Sequence, residues 1–75
     1  MGKMMIPKGI GVNIRIKRVR CGITQHDVSR IIGTHQTIVS GIEHGRVNPT
    51  EEEMRAIKVF LKMSEEAIWG YLAAM

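Results

Sequence analysis

The chain has 75 residues, which is enough for one domain but close to the lower size at which a hydrophobic core holds a fold without disulfides or metals. Its single cysteine, Cys21, excludes an intrachain disulfide. No apolar run approaches the length of a membrane span, and the basic N-terminus lacks the apolar stretch and cleavage site of a signal peptide. We therefore expect a cytoplasmic protein without membrane contact.

The 11 basic and 7 acidic residues give a net charge of +4, and they are unevenly distributed. Residues 1–50 carry eight basic and two acidic side chains, whereas residues 51–75 carry three basic and five acidic ones. A basic region in so short a chain favours a polyanionic partner. The aromatic residues Phe60, Trp69 and Tyr71 all lie in the acidic part, which argues against recognition of single strands by base stacking.

Residues 1–9 are predicted to form a flexible N-terminal arm, because Pro7 and Gly9 discourage a helix. The first helix is predicted over residues 10–21, with Gly22 just past its end. Its apolar residues fall on two nearly opposite lines, Ile10, Ile14 and Cys21 on one and Val12, Ile16 and Val19 on the other. A helix with two apolar sides is expected between two surfaces. One is the domain core, and the other is the arm, the last helix or a second subunit.

Two short helices are predicted next. Thr24 is a suitable N-cap, and Asp27 completes a capping box for a helix from Gln25 to Ile32. Gly33 is expected to turn the chain. The third helix is predicted to begin at Thr34 or His35, to end near Glu43 or His44, and to be closed by Gly45. Each helix is too short to be stable alone, so both must pack on the rest of the chain.

The last 25 residues are predicted to form two further helices. Thr50 and Glu53 form a capping box before a fourth helix over residues 51–62. Its buried line is predicted to be Met54, Ile57 and Leu61, with Val59 and Phe60 off that line. Ser64 is expected to cap a fifth helix over residues 65–75. The expected fold is all-α, with five helices in a single domain over residues 1–75.

Several short motifs occur in a fixed order along most of the chain: Ile10-Gly11, Ile14-Arg15, Arg18, Gly22, Ile23-Thr24-Gln25, Val28-Ser29, Ile32-Gly33, Val39-Ser40, Ile42-Glu43, Gly45 and Asn48-Pro49-Thr50. With these motifs, the chain resembles the XRE/Cro-type helix-turn-helix regulators, a group that includes lambdoid phage repressors. The resemblance covers residues 10–68. It implies a five-helix lambda-repressor-like fold that binds double-stranded DNA with its third helix in the major groove.

The resemblance also implies roles for individual residues. The implied base contacts are Gln36, Thr37, Ser40 and Gly41. The implied contacts to the DNA backbone are Gln25, His35, His44 and Arg46. Arg18 and Glu43 are implied to form a structural ion pair between the first and third helices.

The sequence departs from the family pattern at a few positions. The family usually has leucine near Lys17 and Glu51 and alanine near Ser29 and Lys58, and the polar substitutes predict thinner packing around the first and fourth helices. Ile38 replaces a small polar residue, so it is expected either to touch a thymine methyl group or to pack in the core. Gly41 has no side chain to read a base, which shifts the expected readout to Gln36, Thr37 and Ser40.

Metal binding and catalysis are not expected. His26, His35 and His44 are nine residues apart on different elements, which is not a ligand spacing. Cys21 lies on the core face of the first helix and is best interpreted as a small buried hydrophobe. No glycine-rich phosphate loop follows a strand. The sequence therefore predicts neither an enzyme nor a cofactor.

Three functions remain open. The first is a transcription regulator that binds a two-fold operator as a homodimer. The second is an antitoxin-type module that binds a toxin and regulates its own operon, and the third is a protein-interaction domain without DNA binding. The candidates for a dimer contact are Trp69, Tyr71, Leu72 and Met75 in the fifth helix. The Val12, Ile16 and Val19 line is the alternative contact.

Overall fold

A computed structural model describes residues 9–75, which fold into five helices. They are α1 (Gly9–Cys21), α2 (Gln25–Ile32), α3 (Gln36–Glu43), α4 (Glu51–Lys62) and α5 (Glu65–Ala73). This part of the chain contains no strand, so the all-α prediction is confirmed. The first helix begins at Gly9, one residue earlier than predicted, and the last ends at Ala73, two residues earlier. The predicted N-terminal arm otherwise lies outside the described residues.

Local hydrogen bonds determine where the helices begin. The Thr24 hydroxyl accepts from the backbone N–H of Asp27 at 3.0 Å, and the Asp27 carboxylate accepts from the backbone N–H of Thr24 at 3.0 Å. Thr50 and Glu53 form the same reciprocal pair at the start of α4. The Ser64 hydroxyl caps α5. Each pair satisfies N–H groups that the first helical turn leaves without a partner, so these predicted caps are confirmed.

The turn between α2 and α3 depends on Gly33. Its φ of 85° lies in the left-handed region, where a side chain would be strained. The backbone N–H groups of Gly33 and Thr34 both donate to the carbonyl oxygen of Ser29, at 2.8 and 2.9 Å. These bonds satisfy the end of α2 and redirect the chain into α3.

The core lies where α1, α2, α3, α4 and α5 meet. Its buried residues are Ile14, Cys21, Ile23, Val28, Ile32, Val39, Ile42, Ile57, Phe60 and Ile68. The prediction that Phe60 lies off the buried line of α4 is wrong, because its side chain is fully buried. Helix α4 packs against both α1 and α2, so its buried sector is wider than one helical line.

Helices α1 and α3 cross closely at Gly11. A β-carbon at this position would collide with the backbone carbonyl oxygen of Ile42 and would lie 3.1 Å from the Cα of Glu43. Because these are backbone atoms, no rotamer change could relieve the contact. The absence of a side chain at Gly11 therefore allows α1 to lie directly on the C-terminal half of α3.

Two apolar surfaces remain exposed. We call Val12, Ile16 and Val19 the α1 surface. We call Val59, Trp69, Tyr71 and Met75 the α4–α5 surface, although Trp69 and Tyr71, two residues apart in α5, point in different directions from that helix. Each of these seven side chains is between 45% and 63% exposed. No other element among residues 9–75 covers the second apolar line of α1. Leu72, the remaining predicted dimer residue, is half-buried and packs against the core.

Candidate nucleic-acid interface

The start of α2 and the first half of α3 enclose an open depression of 450 Å³. Its lining residues are Gln25, His35, Gln36, Thr37 and Ser40. All five belong to the eight residues that the sequence analysis expects at DNA. The tertiary structure thus brings the first residue of α2 together with the first turn and a half of α3 in a single polar concavity.

The polar groups of this surface are accessible. His35, Gln36 and Thr37 are exposed at the beginning of α3, and Ser40, one turn later, is half-buried. His35 is the N-cap of α3, but its side chain makes no capping hydrogen bond and remains available. Because α3 is amphipathic, its apolar residues Val39 and Ile42 are buried and its hydrogen-bonding residues face outward.

Arg18 and Glu43 form the ion pair that the sequence analysis expects. The Nε of Arg18 donates to Oε2 of Glu43 at 2.8 Å, and its Nη2 donates to Oε1 at 3.2 Å. The side chain of Glu43 is 2% exposed and that of Arg18 is 18% exposed. The guanidinium also donates to the carbonyl oxygen of Ile23 at 3.4 Å. This two-pronged pair fixes α1 against the end of α3.

Glu43 has a second donor, which sequence reasoning missed. The side-chain Nε2 of Gln25 donates to Oε1 of Glu43 at 3.1 Å. Burial of the Glu43 carboxylate opposes its ionisation, but the hydrogen bonds from Arg18 and then Gln25 outweigh burial and hold the pKa of Glu43 below its ordinary value. The ionised carboxylate therefore connects α1, α2 and α3.

Two positions of α3 face the protein itself. A β-carbon at Gly41 would lie 2.5 Å from a methyl group of Val47, so this glycine makes room for the loop that follows α3. A side chain at this position would therefore point at the loop. This geometry does not support the base contact expected for Gly41. Ile38 is half-buried and packs against the core, which favours the packing alternative for this residue.

His44 and Arg46 follow α3 and are both exposed. The Nδ1 of His44 lies 2.8 Å from the carbonyl oxygen of Ser40. Because a carbonyl oxygen only accepts, Nδ1 carries the proton and Nε2 is free. Neither residue lines the depression, so they lie beyond the end of α3 rather than at its reading face.

Within residues 9–75, no three histidine, cysteine or acidic side chains come together as a metal site. No helix in the same range is both long enough and apolar enough to cross a membrane. Cys21 is buried, as expected for a small core residue.

A helix-turn-helix family model matches residues 14–68, which is more than half of the chain and includes every element of the depression. The chain belongs to the XRE-type helix-turn-helix family. No curated protein and no solved structure matches it. The match supports a DNA-binding domain, and the matched range includes α2, α3 and the polar depression between them.

Sequence reasoning missed two further contacts of this helix-turn-helix domain. The hydroxyl of Thr34, in the turn, donates to the Glu53 carboxylate at 3.0 Å, which joins the turn to the start of α4. Burial of the hydroxyl of Ser29 is compensated by its 2.6 Å hydrogen bond to the carbonyl oxygen of His26. The capping motif around Glu53 was visible in the sequence, but nothing local indicated that its second oxygen would reach Thr34.

Proposed function

We propose that this chain is a sequence-specific regulator of transcription that binds double-stranded DNA as a homodimer, with α3 in the major groove. The observation that carries the proposal is the depression formed by Gln25, His35, Gln36, Thr37 and Ser40. It combines donors and acceptors at the exposed end of a recognition helix in an XRE-type domain. A short polar helix end of this kind fits the base edges of the major groove.

Base readout is assigned to Gln36, Thr37 and Ser40. A glutamine can bond both N6 and N7 of adenine, and a threonine can present its methyl group to thymine. Ser40 lies one turn after Gln36 and supports either a donor or an acceptor contact. Gly41 is left out of this set because a side chain at this position would point at Val47.

Phosphate contacts are assigned to Gln25 and His35, which line the depression, and to His44 and Arg46, which follow α3. Gln25 begins α2, where the positive end of the helix dipole also favours a phosphate. The Nδ1 of His44 is held at the carbonyl oxygen of Ser40, which orients the ring and leaves Nε2 as the atom for a phosphate contact. Arg46 is charged throughout and supplies the salt-dependent part of the binding.

A homodimer follows from the small size of the reading surface. Helix α3 has eight residues and is about 12 Å long, so it reaches only a few base pairs. Two copies related by a two-fold axis would read two half-sites one helical turn apart. The α4–α5 surface, with Trp69, Tyr71 and Met75 exposed, is the proposed dimer contact.

Selection of bound duplexes from a random pool tests this function directly, and we expect a two-fold consensus. On the selected duplex, Gln36→Ala should weaken binding by about 1–3 kcal/mol and relax the preference at one base pair. Arg46→Ala serves as the matched variant. It should weaken selected and unrelated duplexes alike and reduce the dependence of affinity on salt. An unselective pool, or an unchanged base preference in Gln36→Ala, would refute the readout.

An antitoxin-type module is the second candidate. The α4–α5 surface is apolar and fits a protein partner as well as a second copy. Under this alternative, the chain is monomeric when purified alone, and a toxic protein encoded beside it co-purifies through Trp69 and Tyr71. A stable homodimer that binds the selected duplex without another protein would argue against it.

A further inference from the structure

We infer that Glu43 is a positioning residue for DNA binding, because its carboxylate holds the side-chain amide of Gln25 in a single orientation at the rim of the depression. This inference rests on the proposed function and extends it. It assigns Glu43 a role in DNA binding beyond its ion pair with Arg18. The side chain of Glu43 is only 2% exposed, so the role that we assign to it acts through Gln25.

The contacts around the carboxylate leave little freedom. Oε2 accepts from Nε of Arg18 at 2.8 Å, and Oε1 accepts from Nη2 of Arg18 at 3.2 Å and from Nε2 of Gln25 at 3.1 Å. The Arg18 fork supplies two of these three bonds. The third, from the residue that begins α2 to Oε1, requires only that the Glu43 carboxylate be ionised and in place.

A carboxylate can only accept hydrogen bonds, and this decides which way the Gln25 amide faces. Rotation of the amide by 180° would place its Oε1 against the carboxylate oxygen, with two acceptors in contact. The Gln25 Nε2 therefore faces Glu43. Its second N–H and its Oε1 remain for the depression that Gln25 lines together with Gln36 and Thr37.

The orientation matters because a phosphate only accepts. With one N–H held by Glu43, the second N–H of Gln25 keeps one direction and can donate to a phosphate without a prior rotation of the amide. Because the side chain is ordered before DNA arrives, less rotamer freedom is lost on binding. Glu43 thereby links the packing of α1 on α3 to the phosphate contact of α2.

A double-mutant cycle on duplex affinity tests this coupling. The variants are Gln25→Ala, Glu43→Gln and the two together, and the probes are the selected duplex and an unrelated duplex of equal length. Gln25→Ala should weaken binding by about 5–10-fold in the natural background. In the Glu43→Gln background, where the new amide lets Gln25 face either way, the same change should cost less than about 2-fold.

Arg18→Lys is the matched control, because it breaks the two-pronged pair and leaves Glu43 free to hold Gln25. It should lower stability, yet the 5–10-fold penalty of Gln25→Ala should persist in that background. Equal penalties in all three backgrounds would overturn the positioning role. Loss of the penalty in Arg18→Lys as well would overturn it, since general loosening would then explain the effect.

A measurement on the unmutated protein does not depend on any variant folding. In its ¹⁵N-resolved NMR spectrum, one of the two side-chain amide protons of Gln25 should be shifted by the hydrogen bond to the carboxylate and should exchange slowly. Amide shifts and exchange rates of Gln25 equal to those of the exposed Gln36 would overturn the proposal. If the unmutated chain bound no duplex, both the proposed function and the positioning role of Glu43 would be refuted. Binding without coupling would overturn the role of Glu43 alone.

Discussion

The ammonium group of Lys17, in α1, lies 3.2 Å from the backbone carbonyl oxygen of Leu61, near the end of α4. The same group donates to the carbonyl oxygen of Met63, just past the end of that helix. The last carbonyls of a helix have no partner within the helix, and the negative end of its dipole attracts a cation. Lys17 thus caps a different helix, whereas the sequence analysis expected only thinner packing beside its own.

Replacement of Lys17 by methionine should destabilise the fold. Lys17→Met keeps the length of the side chain but removes the donors to Leu61 and Met63, at a cost of about 1–2 kcal/mol for a half-buried charged donor. Urea unfolding measures this cost. Lys58→Met, at an exposed position of α4, is the control and should change stability by less than about 0.5 kcal/mol. Equal effects of the two changes would contradict the capping role.

Replacement of two helical glycines by alanine should change the stability of the fold in opposite directions. Gly11→Ala places a methyl group against the carbonyl oxygen of Ile42 and should cost about 2 kcal/mol, because backbone must move. Gly70→Ala meets no atom within 4 Å and should stabilise α5 by about 0.5–1 kcal/mol through helix propensity. Thermal unfolding of both variants checks the signs. A stabilising Gly11→Ala would show that α1 and α3 do not cross so closely.

Stability should fall in acid. The hydrogen bonds from Arg18 and Gln25, which outweigh burial, hold the folded-state pKa of Glu43 below its ordinary value of 4.5. Protons then bind the unfolded chain more readily. The stabilisation is thus complete above pH 4.5 and is lost as the pH falls through the lower folded-state pKa of Glu43. The carboxyl groups of Asp27 and Glu53 also contribute to this loss of stability in acid. The backbone N–H groups of Thr24 and Thr50, the N-cap residues, lower the pKa values of Asp27 and Glu53, respectively.

Glu43→Gln should therefore reduce the slope of unfolding free energy against pH below 4.5, in addition to lowering stability at neutral pH by about 1–3 kcal/mol. Urea unfolding at a series of pH values measures both effects. Glu65→Gln, at an exposed position in α5, should leave slope and stability nearly unchanged. An acid slope in Glu43→Gln equal to that of the unmutated protein would refute the assignment.

The oligomeric state should distinguish the two exposed apolar surfaces. We expect sedimentation to show a homodimer that becomes monomeric when Trp69 and Tyr71 are both replaced by serine. The corresponding double change on the α1 surface, Val12→Ser with Val19→Ser, should leave the dimer intact. The reverse result would assign the dimer contact to α1, and a monomeric unmutated protein would remove the dimer from the proposed function.

Two threonines at helix starts should separate stability from DNA binding. Thr24→Ala removes the hydroxyl that caps α2 and should cost about 1 kcal/mol of folding free energy. Thr37→Ala, on the exposed side of α3, should leave stability within about 0.5 kcal/mol and weaken binding to the selected duplex. Thermal unfolding and duplex titration of both variants measure the separation. A large loss of stability in Thr37→Ala would mean that this residue supports the fold.

The capped starts of α2 and α4 were predictable from the sequence because capping is local. Thr24 with Asp27 and Thr50 with Glu53 lie three residues apart, so their reciprocal hydrogen bonds form whenever the helix does. The left-handed turn at Gly33 is equally local. Family resemblance, rather than local spacing, indicated the Arg18–Glu43 pair.

Contacts between distant parts of the chain could not be predicted in this way. Whether Phe60 points inward depends on α4 being covered on two sides, and the role of Lys17 depends on where Leu61 comes to lie 44 residues later. That a side chain at Gly41 would collide with Val47 is likewise visible only in the folded structure.

The sequence by itself determined which segments are helical, where α2, α4 and α5 begin, and that two short helices joined at Gly33 follow the first, because hydrophobic periodicity and caps act within a few residues. Only the tertiary structure decided that Gln25 reaches Glu43 at the far end of α3 and that five polar residues share one depression. The physical reason is that a side chain's partner across helices depends on how the helices pack, and packing is set by all the buried residues together.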